Sequence, residues 1–271
     1  MNTPLKNIED AYDLAASRGV VPPNSKSLVI NGLNATTLPA RIGGSLDFGT
    51  TYPAIVKLII DASGSMGSVR QEVVDALNRL KVKLEETANR TGAEFQVSIT
   101  DFSGLLGIHL MRDFEHVDTL KPFTARDYNP DGSTPLCDAA YQGISETIAH
   151  GTLVYGTGAT GYQQAVVILS DGADNDSRHT PADIATLLKE FVGRRNFIIA
   201  FIGFGAGQHQ RDVYTSIAQE MGIPAQNLRV YDPSDPNCLD MVVTDISSSV
   251  EVRSQRAASS QTQSGNFFVT P

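Results

Sequence analysis

The segment Asp61-Ala62-Ser63-Gly64-Ser65 places one carboxylate and two hydroxyls at alternate positions of the chain. Side chains spaced in this way present three oxygen atoms to one point where the chain turns. Oxygen ligands suit Mg²⁺, Mn²⁺ or Ca²⁺, whereas Zn²⁺ prefers imidazole or thiolate ligands. Asp61, Ser63 and Ser65 are therefore candidate ligands of a hard divalent cation.

The elements on either side of this segment decide where its side chains lie. Ala54 to Ile60 is a nearly continuous apolar run, as expected for a central strand that is covered on both faces. Ser68 to Arg90 carries apolar residues at helical spacing, which predicts a helix with one buried stripe, and Gly92 ends it. The polar segment lies on the turn between the two elements. Open parallel sheets bind ligands at the carboxyl ends of their strands, so this turn is a suitable place for a site.

The alternation of strands and helices continues to residue 252 and predicts an α/β fold. We expect a doubly wound, mostly parallel central sheet with helices on both faces. One strand follows a short connection, so we expect it to be antiparallel and to lie at the edge of the sheet. The predicted edge strand is 109–117, and the other later strands are 94–102, 165–169, 196–204 and 227–231. The later helices are predicted at 135–148, 181–192, 211–221 and 239–252. Residues 151–164 are predicted to form a surface loop.

Two later segments extend the polar pattern. Asp131-Gly132-Ser133-Thr134-Pro135-Leu136 follows a loop, and Ser170-Asp171-Gly172 ends a predicted buried strand. Together with the first segment, and in this order, they resemble the metal-ion-dependent adhesion site of von Willebrand factor A domains, which are Rossmann-like; the resemblance covers roughly residues 54–252. It implies direct metal contacts from the serines and the threonine, and contacts from the aspartates largely through water. The implied metal site consists of Asp61, Ser63, Ser65, Thr134 and Asp171.

The resemblance also implies a function. In the family, hydroxyls and water-separated carboxylates put little negative charge directly on the cation, which then binds a Glu or Asp of a partner protein at an open coordination position. The expected function is metal-dependent protein binding, with Mg²⁺, Mn²⁺ or Ca²⁺ as the cofactor, and not catalysis. For intracellular members the resemblance implies adaptor roles beside AAA+ ATPases or in stress and conflict systems.

Other interpretations of the same residues are open. Taken singly, Asp61, Ser63 and Thr134 are ordinary helix caps, so the site could be degenerate and free of metal. A metal-assisted phosphohydrolase would use Asp61 as its nucleophile. That chemistry normally requires a second acid two residues later, where Ser63 stands, and a lysine near the loops. A purely structural domain would carry the site without using it.

Composition narrows the class of partner and the compartment. The chain of 271 residues has a formal net charge of −9 and no dense basic patch, which argues against binding to nucleic acid or to anionic membranes. No apolar run suggests a membrane span or a secretory signal. Cys137 and Cys238 are too few for a disulfide framework, so we expect two small buried hydrophobes in a cytoplasmic protein.

Both flanks differ from the predicted domain at residues 54–252. Residues 1–53 contain a helical pattern at Asp10 to Ala16, a strand pattern at Ser27 to Ile30 and many turn formers, which predicts an extension packed on the domain. Residues 253–271 include a polar stretch of low complexity, which predicts a flexible C-terminal tail.

Weaker signals accompany the polar segments. Asp174-Asn175-Asp176 lacks the order of a calcium-binding loop, so we expect a solvated loop beside the site. Asp101 could add to the negative field of the cleft, and His179 is the histidine nearest in sequence to the third segment. Tyr155 and Tyr162 belong to the predicted surface loop and are candidates for contacts with a partner.

Overall fold

The computed structural model of the protein describes residues 8–34, 52–258 and 266–268. Its strands are β1 (Ala54–Asp61), β2 (Phe95–Ser103), β3 (Gly107–His116), β4 (Gln163–Ser170), β5 (Phe197–Phe204) and β6 (Leu228–Tyr231). Its α-helices are α1 (Ile8–Ser17), α2 (Lys26–Asn34), α3 (Arg70–Thr91), α4 (Leu136–Gly156), α5 (Pro181–Leu188), α6 (Gly207–Glu220) and α7 (Cys238–Ala258).

The strands form one sheet in the order β3-β2-β1-β4-β5-β6, which is parallel except at one edge. β1 pairs in parallel with both β2 and β4, whereas β2 and β3 pair antiparallel. The order reverses between β1 and β4, and the crevice at the carboxyl ends of such strands is where doubly wound sheets bind ligands. The predicted fold class and its antiparallel edge strand are confirmed.

Helices cover both faces of the sheet, which explains why the central strands are apolar throughout. All eight residues of β1 are buried. Val56 and Leu58 of β1 belong to a core formed with α3 and α7, whereas Ile59 belongs to a core formed with α1, α2, α4, α5 and α6. Among the described helices, none has the length and apolar character that crossing a membrane requires.

The predicted surface loop at residues 151–164 is wrong at both ends, because the connection between α4 and β4 comprises residues 157–162. α4 continues to Gly156, and Gly151 is buried within it. A side-chain carbon on Gly151 would lie 2.3 Å from Gln164 Nε2, so the glycine lets the helix approach the sheet closely. Tyr162 is fully buried and Tyr155 packs partly buried against the core, so Tyr162 does not form an exposed partner contact.

The N-terminal residues form helices that pack on α4. The helical pattern at Asp10 to Ala16 is confirmed by α1, but the predicted strand at Ser27 to Ile30 is wrong because α2 contains it. α2 approaches α4 closely, since a side-chain carbon on Gly32 would lie 1.9 Å from Ser145 Oγ. Residues 1–7 and 35–51 lie outside the described part of the chain.

The C-terminal helix is longer than the pattern indicated. α7 ends at Ala258 rather than at residue 252, and Phe267 and Phe268 are buried in the core. The backbone N–H of Phe267 donates to Asn227 Oδ1 at 2.6 Å. At these positions the chain is held on the domain, contrary to the predicted flexible tail, and residues 259–265 and 269–271 lie outside the described part. The division into an extension, a domain and a tail stays a prediction.

A buried lysine lies between the sheet and α4. Lys57, in the middle of β1, is 0% exposed. Its Nζ donates hydrogen bonds to Ser98 Oγ at 2.9 Å, to Thr100 Oγ1 at 2.6 Å and to Glu146 Oε2 at 2.8 Å. All three hydrogens of the ammonium therefore have acceptors, and its charge is paired with a carboxylate of α4.

A neutral histidine lies in the same polar layer. The ring of His150 stacks on Phe114 with centroids 4.0 Å apart, and its Nε2 lies 2.6 Å from Gln96 Oε1. Burial, and then the charge of Lys57, lowers the pKa of His150 to about 3. The imidazole is therefore uncharged near neutral pH, and since Gln96 Oε1 is an acceptor, the ring hydrogen lies on Nε2.

Candidate metal centre

The first polar segment begins at the last residue of β1. Asp61 is 0% exposed. Its Oδ1 accepts a hydrogen bond from the backbone N–H of Ser63 at 2.8 Å, and its Oδ2 accepts one from the hydroxyl of Ser170, at the end of β4, at 2.5 Å. The carboxylate therefore shapes the turn after β1 and joins the two strand ends between which the strand order reverses.

Three side-chain oxygens converge above this carboxylate. Ser63 Oγ lies 3.1 Å from Ser65 Oγ, and the Ser65 hydroxyl donates to Asp171 Oδ1 at 2.9 Å. Ser65 belongs to a 3-10 helix at Gly64–Val69, and Asp171 directly follows β4. The structure thus brings Ser63, Ser65 and Asp171 together, with Asp61 joined to them through the backbone of Ser63.

The spacing of the serine oxygens suits an octahedral cation. Ligands about 2.1 Å from Mg²⁺, and at right angles to each other, are about 3.0 Å apart. The Ser63–Ser65 separation of 3.1 Å agrees with that value. Because the Ser65 hydroxyl gives its hydrogen to Asp171, its lone pairs stay available to a cation. The residues present therefore fit a hard divalent cation, with the serines as donors and Asp171 orienting one of them.

The second segment, which carries Thr134, is hydrogen-bonded to the loop after β1 and to the loop after β4. Gly132 O accepts a hydrogen bond from the backbone N–H of Gly64 at 3.0 Å, and the backbone N–H of Thr134 donates to Asn175 Oδ1 at 2.7 Å. A side-chain carbon on Gly172 would lie 3.8 Å from Thr134 Oγ1, so this hydroxyl faces the loop after β4. Thr134 therefore lies at the same edge of the sheet as the serines.

Close backbone packing fixes the second segment against the β2–β3 connection. Gly132 has a φ of +74°, in the left-handed region that favours glycine. A side-chain carbon there would lie 2.8 Å from the backbone N of Leu105. The neighbouring backbone N–H of Gly104 donates to Ser133 O at 2.8 Å. The second segment therefore packs on the β2–β3 connection as well as on the other two loops.

The carboxylate of Asp171 lies in an unfavourable electrostatic environment. Burial raises the pKa of Asp171, a hydrogen bond from Ser65 lowers it, the negative charge of Asp61 raises it, and the net shift is upward. Two carboxylates near each other in a partly buried place repel, and a cation bound between the loops would relieve that repulsion.

The donor set contains few of the usual metal-binding side chains. Within the described residues, no three His, Cys, Asp or Glu side chains lie close enough together to hold a metal ion. Asp61 and Asp171 are the carboxylates of the predicted set, and its other members are hydroxyls. A metal ion held here would therefore depend on serine and threonine oxygens, which favours Mg²⁺, Mn²⁺ or Ca²⁺ over Zn²⁺.

Two histidines near these loops interact with other carboxylates. Asp101 Oδ1 lies 2.8 Å from His109 Nδ1, and burial raises the pKa of Asp101 although His109 lowers it. His179 Nδ1 lies 2.6 Å from Asp138 Oδ1, and its ring stacks on Tyr141 with centroids 4.4 Å apart. The contacts of His179 are therefore with α4 and not with the converging oxygens.

The loop at residues 174–176 holds the second segment in place. Asp174 Oδ1 accepts a hydrogen bond from the backbone N–H of Cys137 at 3.2 Å, and Asp176 Oδ2 accepts one from the hydroxyl of Ser133. Cys137 and Cys238 are free and buried, as predicted, and burial raises the pKa of their thiols to about 12 and about 11. Neither thiol is therefore activated as a nucleophile.

Several residues that support the site are not among the predicted ligands. Ser170 donates to Asp61, Asn175 orients the backbone of Thr134, and the hydroxyl of Tyr128 donates to the backbone oxygen of Asp61. Only Ser170 lies beside a predicted ligand in sequence, so its place at a strand end next to an aspartate is the one clue that could have identified it.

Comparison with known proteins identifies similar structures but no similar sequence. No protein-family model and no curated protein matches the chain. The pilus adhesin SpaC from Lactobacillus rhamnosus GG, in an open conformation, is similar with a TM-score of 0.57 and 11% identity over 74% of this chain and 30% of that protein. The PilB minor pilin from Streptococcus sanguinis has a TM-score of 0.51 and 15% identity over 77% of this chain and 63% of that protein.

The fold is similar to that of von Willebrand factor A domains. At identities of 11% and 15% the likeness concerns the fold alone. Proximal thread matrix protein 1 from the mussel byssus also matches, with a TM-score of 0.48 and 15% identity over 76% of this chain and 47% of that protein. The chain thus spans less than two thirds of the length of each of these proteins.

Proposed function

We propose that the protein is a metal-dependent protein-binding module. Ser63, Ser65 and Thr134 would hold a divalent cation, which is Mg²⁺, Mn²⁺ or Ca²⁺. Asp61 would shape the first loop, and Asp171 would orient Ser65 and contact the cation largely through water. The bound cation would supply an open coordination position for a carboxylate oxygen of a partner protein.

The convergence of Ser63, Ser65 and Asp171 carries this proposal. Their oxygens come from two loops, lie 3.1 and 2.9 Å apart, and stand at the carboxyl ends of β1 and β4. Ordinary helix capping does not account for this arrangement. Ser63, which precedes the 3-10 helix, makes no capping hydrogen bond with its side chain, and the residue that directly precedes α4 is Pro135 rather than Thr134.

The buried position of Asp61 argues against the alternative of a phosphohydrolase. A carboxylate nucleophile must reach the phosphorus atom, but Asp61 is 0% exposed and both its oxygens accept hydrogen bonds. Lys57 is the nearest lysine in sequence on β1, and its ammonium is engaged by Ser98, Thr100 and Glu146 below the site. The side chains at this site favour binding over turnover.

The proposal is tested first by direct measurement of metal binding. Titration calorimetry of the full chain with MnCl₂ and MgCl₂ should show one site, and Ser65→Ala should weaken it at least about tenfold because it removes a donor. Ser68→Ala, in the same 3-10 helix, is the matched control and should leave the affinity unchanged. Equal affinity in Ser65→Ala and the wild type, with circular dichroism showing both folded, would refute the proposal.

The identity of the partner is a separate prediction. Cross-linking in lysate of the source cells, with Mg²⁺ or with a chelator, should capture a protein only when Mg²⁺ is present. An acidic surface segment on that protein, and loss of capture with Ser65→Ala, would support the proposed contact. A cytoplasmic location and an AAA+ ATPase as partner stay predictions from the sequence.

A further inference from the structure

A groove extends from the candidate metal centre between the first turns of α3 and the start of α7. It encloses about 580 Å³, and Ser65 and Asp171 line the end nearest the proposed cation. The 3-10 helix and the first turns of α3 form one wall, the loop after β5 forms another, and the loop between β6 and α7 closes the far side. Because the proposed ligands line it, a residue bound at the cation would have its chain neighbours in this groove.

The floor of the groove is apolar. Met66 and Val73 are buried on one side of it, Phe204 lies at the end of β5, and Leu239 lies partly buried at the start of α7. An apolar side chain of a ligand would lose contact with water here, at about 25 cal/mol for each Å² buried. This floor therefore favours a ligand with an apolar side chain near its acidic residue.

The rim of the groove has an excess of negative charge. Glu72, Asp75 and Asp235 line it, and the first two lie on the same side of α3 about one turn apart. Arg79 is the basic residue among the lining residues, and its Nε lies 2.8 Å from Asp240 Oδ1. The rim therefore complements a basic side chain, whereas the cation at the end of the groove complements an acidic one.

We propose that the groove binds a peptide segment of the partner protein that combines an acidic residue for the cation with an apolar and a basic residue close by. This inference rests on the proposed metal-dependent function and adds the chemistry of the partner. A volume of about 580 Å³ lies within the range of about 300–1,000 Å³ that ligand sites occupy. An extended chain advances about 3.3 Å per residue, so the three features should fall within about three positions of one another.

The partner sequence is best found by selection from random peptides. Peptides displayed on phage would be panned against the immobilised full chain in Mg²⁺ and eluted with a chelator. The selected peptides should carry Asp or Glu, with an apolar residue and Lys or Arg within about three positions. Selection on a Glu72→Lys, Asp75→Lys variant should replace the selected basic residue by an acidic one, because the charge of the rim is reversed.

Point variants then distinguish the contribution of the groove to peptide binding from that of the metal. Leu239→Glu should weaken a selected peptide about tenfold by fluorescence anisotropy, because it puts a charge on the apolar floor. Val82→Glu is the matched control; Val82 is 48% exposed on α3 and does not line the groove, so peptide affinity should not change. Mn²⁺ affinity should stay the same in both variants.

The possible results identify which proposal fails. A wild-type chain that binds no Mn²⁺ would refute the metal-dependent function itself. Normal Mn²⁺ binding combined with selected peptides that share only an acidic residue, or with no effect of Leu239→Glu, would refute the groove inference alone. Size-exclusion chromatography gives a further check: a dimer that Leu239→Glu dissociates would show that a second copy of the chain occupies the groove, and this would also overturn the inference.

Discussion

The buried ion pair between Lys57 and Glu146 gives a prediction whose magnitude follows from the structure. Lys57→Met keeps a side chain of similar length but removes an ammonium with three acceptors. Glu146 is then left buried with Gln142 as its neutral donor, at 2.7 Å. Removing one partner of a buried pair costs about 3–5 kcal/mol, a large part of the 5–15 kcal/mol that typically stabilises a domain.

A double-mutant cycle measured by urea unfolding tests this reasoning. Lys57→Met should lower the free energy of unfolding by about 3–5 kcal/mol. Adding Glu146→Gln removes the unpaired charge, so the double variant should recover about 2 kcal/mol or more of that loss. A single variant that loses less than about 1 kcal/mol, or a double variant that loses the sum of the two singles, would refute the account of a desolvated, mutually dependent pair.

Three further predictions concern the histidine, the second loop and the strand ends. The pKa of His150 in the folded protein, about 3, lies below the ordinary histidine value of about 6.5. The buried neutral ring therefore contributes fully to stability above about pH 6.5, and this contribution is lost as the pH falls towards 3. Urea unfolding should show a loss of about 2 kcal/mol from pH 7.5 to pH 5.0 that is absent in His150→Gln. Gly132→Ala should weaken Mn²⁺ binding about tenfold in calorimetry, because a side chain does not fit the left-handed loop, whereas Gly92→Ala, with a similar φ and open space around it, should not. Ser170→Ala should lower the free energy of unfolding by about 1–3 kcal/mol, because one oxygen of buried Asp61 loses its donor.

Each of these has an outcome that contradicts it. An equal loss of stability at low pH in His150→Gln would show that other groups cause it. Unchanged Mn²⁺ affinity in Gly132→Ala would show that the second loop does not contribute to the site. Ser145→Ala is the control for Ser170→Ala, since the Ser145 hydroxyl donates to a carbonyl of its own helix at 2.8 Å. An equal decrease in the free energy of unfolding in both variants would show that the hydrogen bond to Asp61 is not the cause.

Strong local patterns made much of the fold predictable. The apolar run of β1 and the helical stripe of α3 were placed to within about two residues, because burial on both faces and a single buried stripe leave clear signals. The surface loop predicted at residues 151–164 was wrong at its ends because the glycines of this segment resemble those of a loop. In the structure Gly151 lies against the sheet, where a side-chain carbon would come within 2.3 Å of Gln164 Nε2.

The remaining errors have different causes. Ser27 to Ile30 is a short apolar run, and such a run does not distinguish a strand from a helix; packing on α4 made it helical. The first loop of the site could be predicted because its ligand types lie close together in sequence. The role of Asn175 could not, because it comes from a contact with Thr134, which lies 41 residues away. Ser170 acts on Asp61, 109 residues away, and its place beside Asp171 is the one local clue to that role.

The position of a bound cation is the most direct test of the central claim. Crystals of the full chain grown or soaked with MnCl₂ would be measured for anomalous scattering from manganese. We predict one strong peak among Ser63 Oγ, Ser65 Oγ and Thr134 Oγ1, beside Asp171, and no such peak in crystals of Ser65→Ala treated in the same way. A map without a peak at these oxygens, or with manganese bound only elsewhere on the chain, would contradict the account.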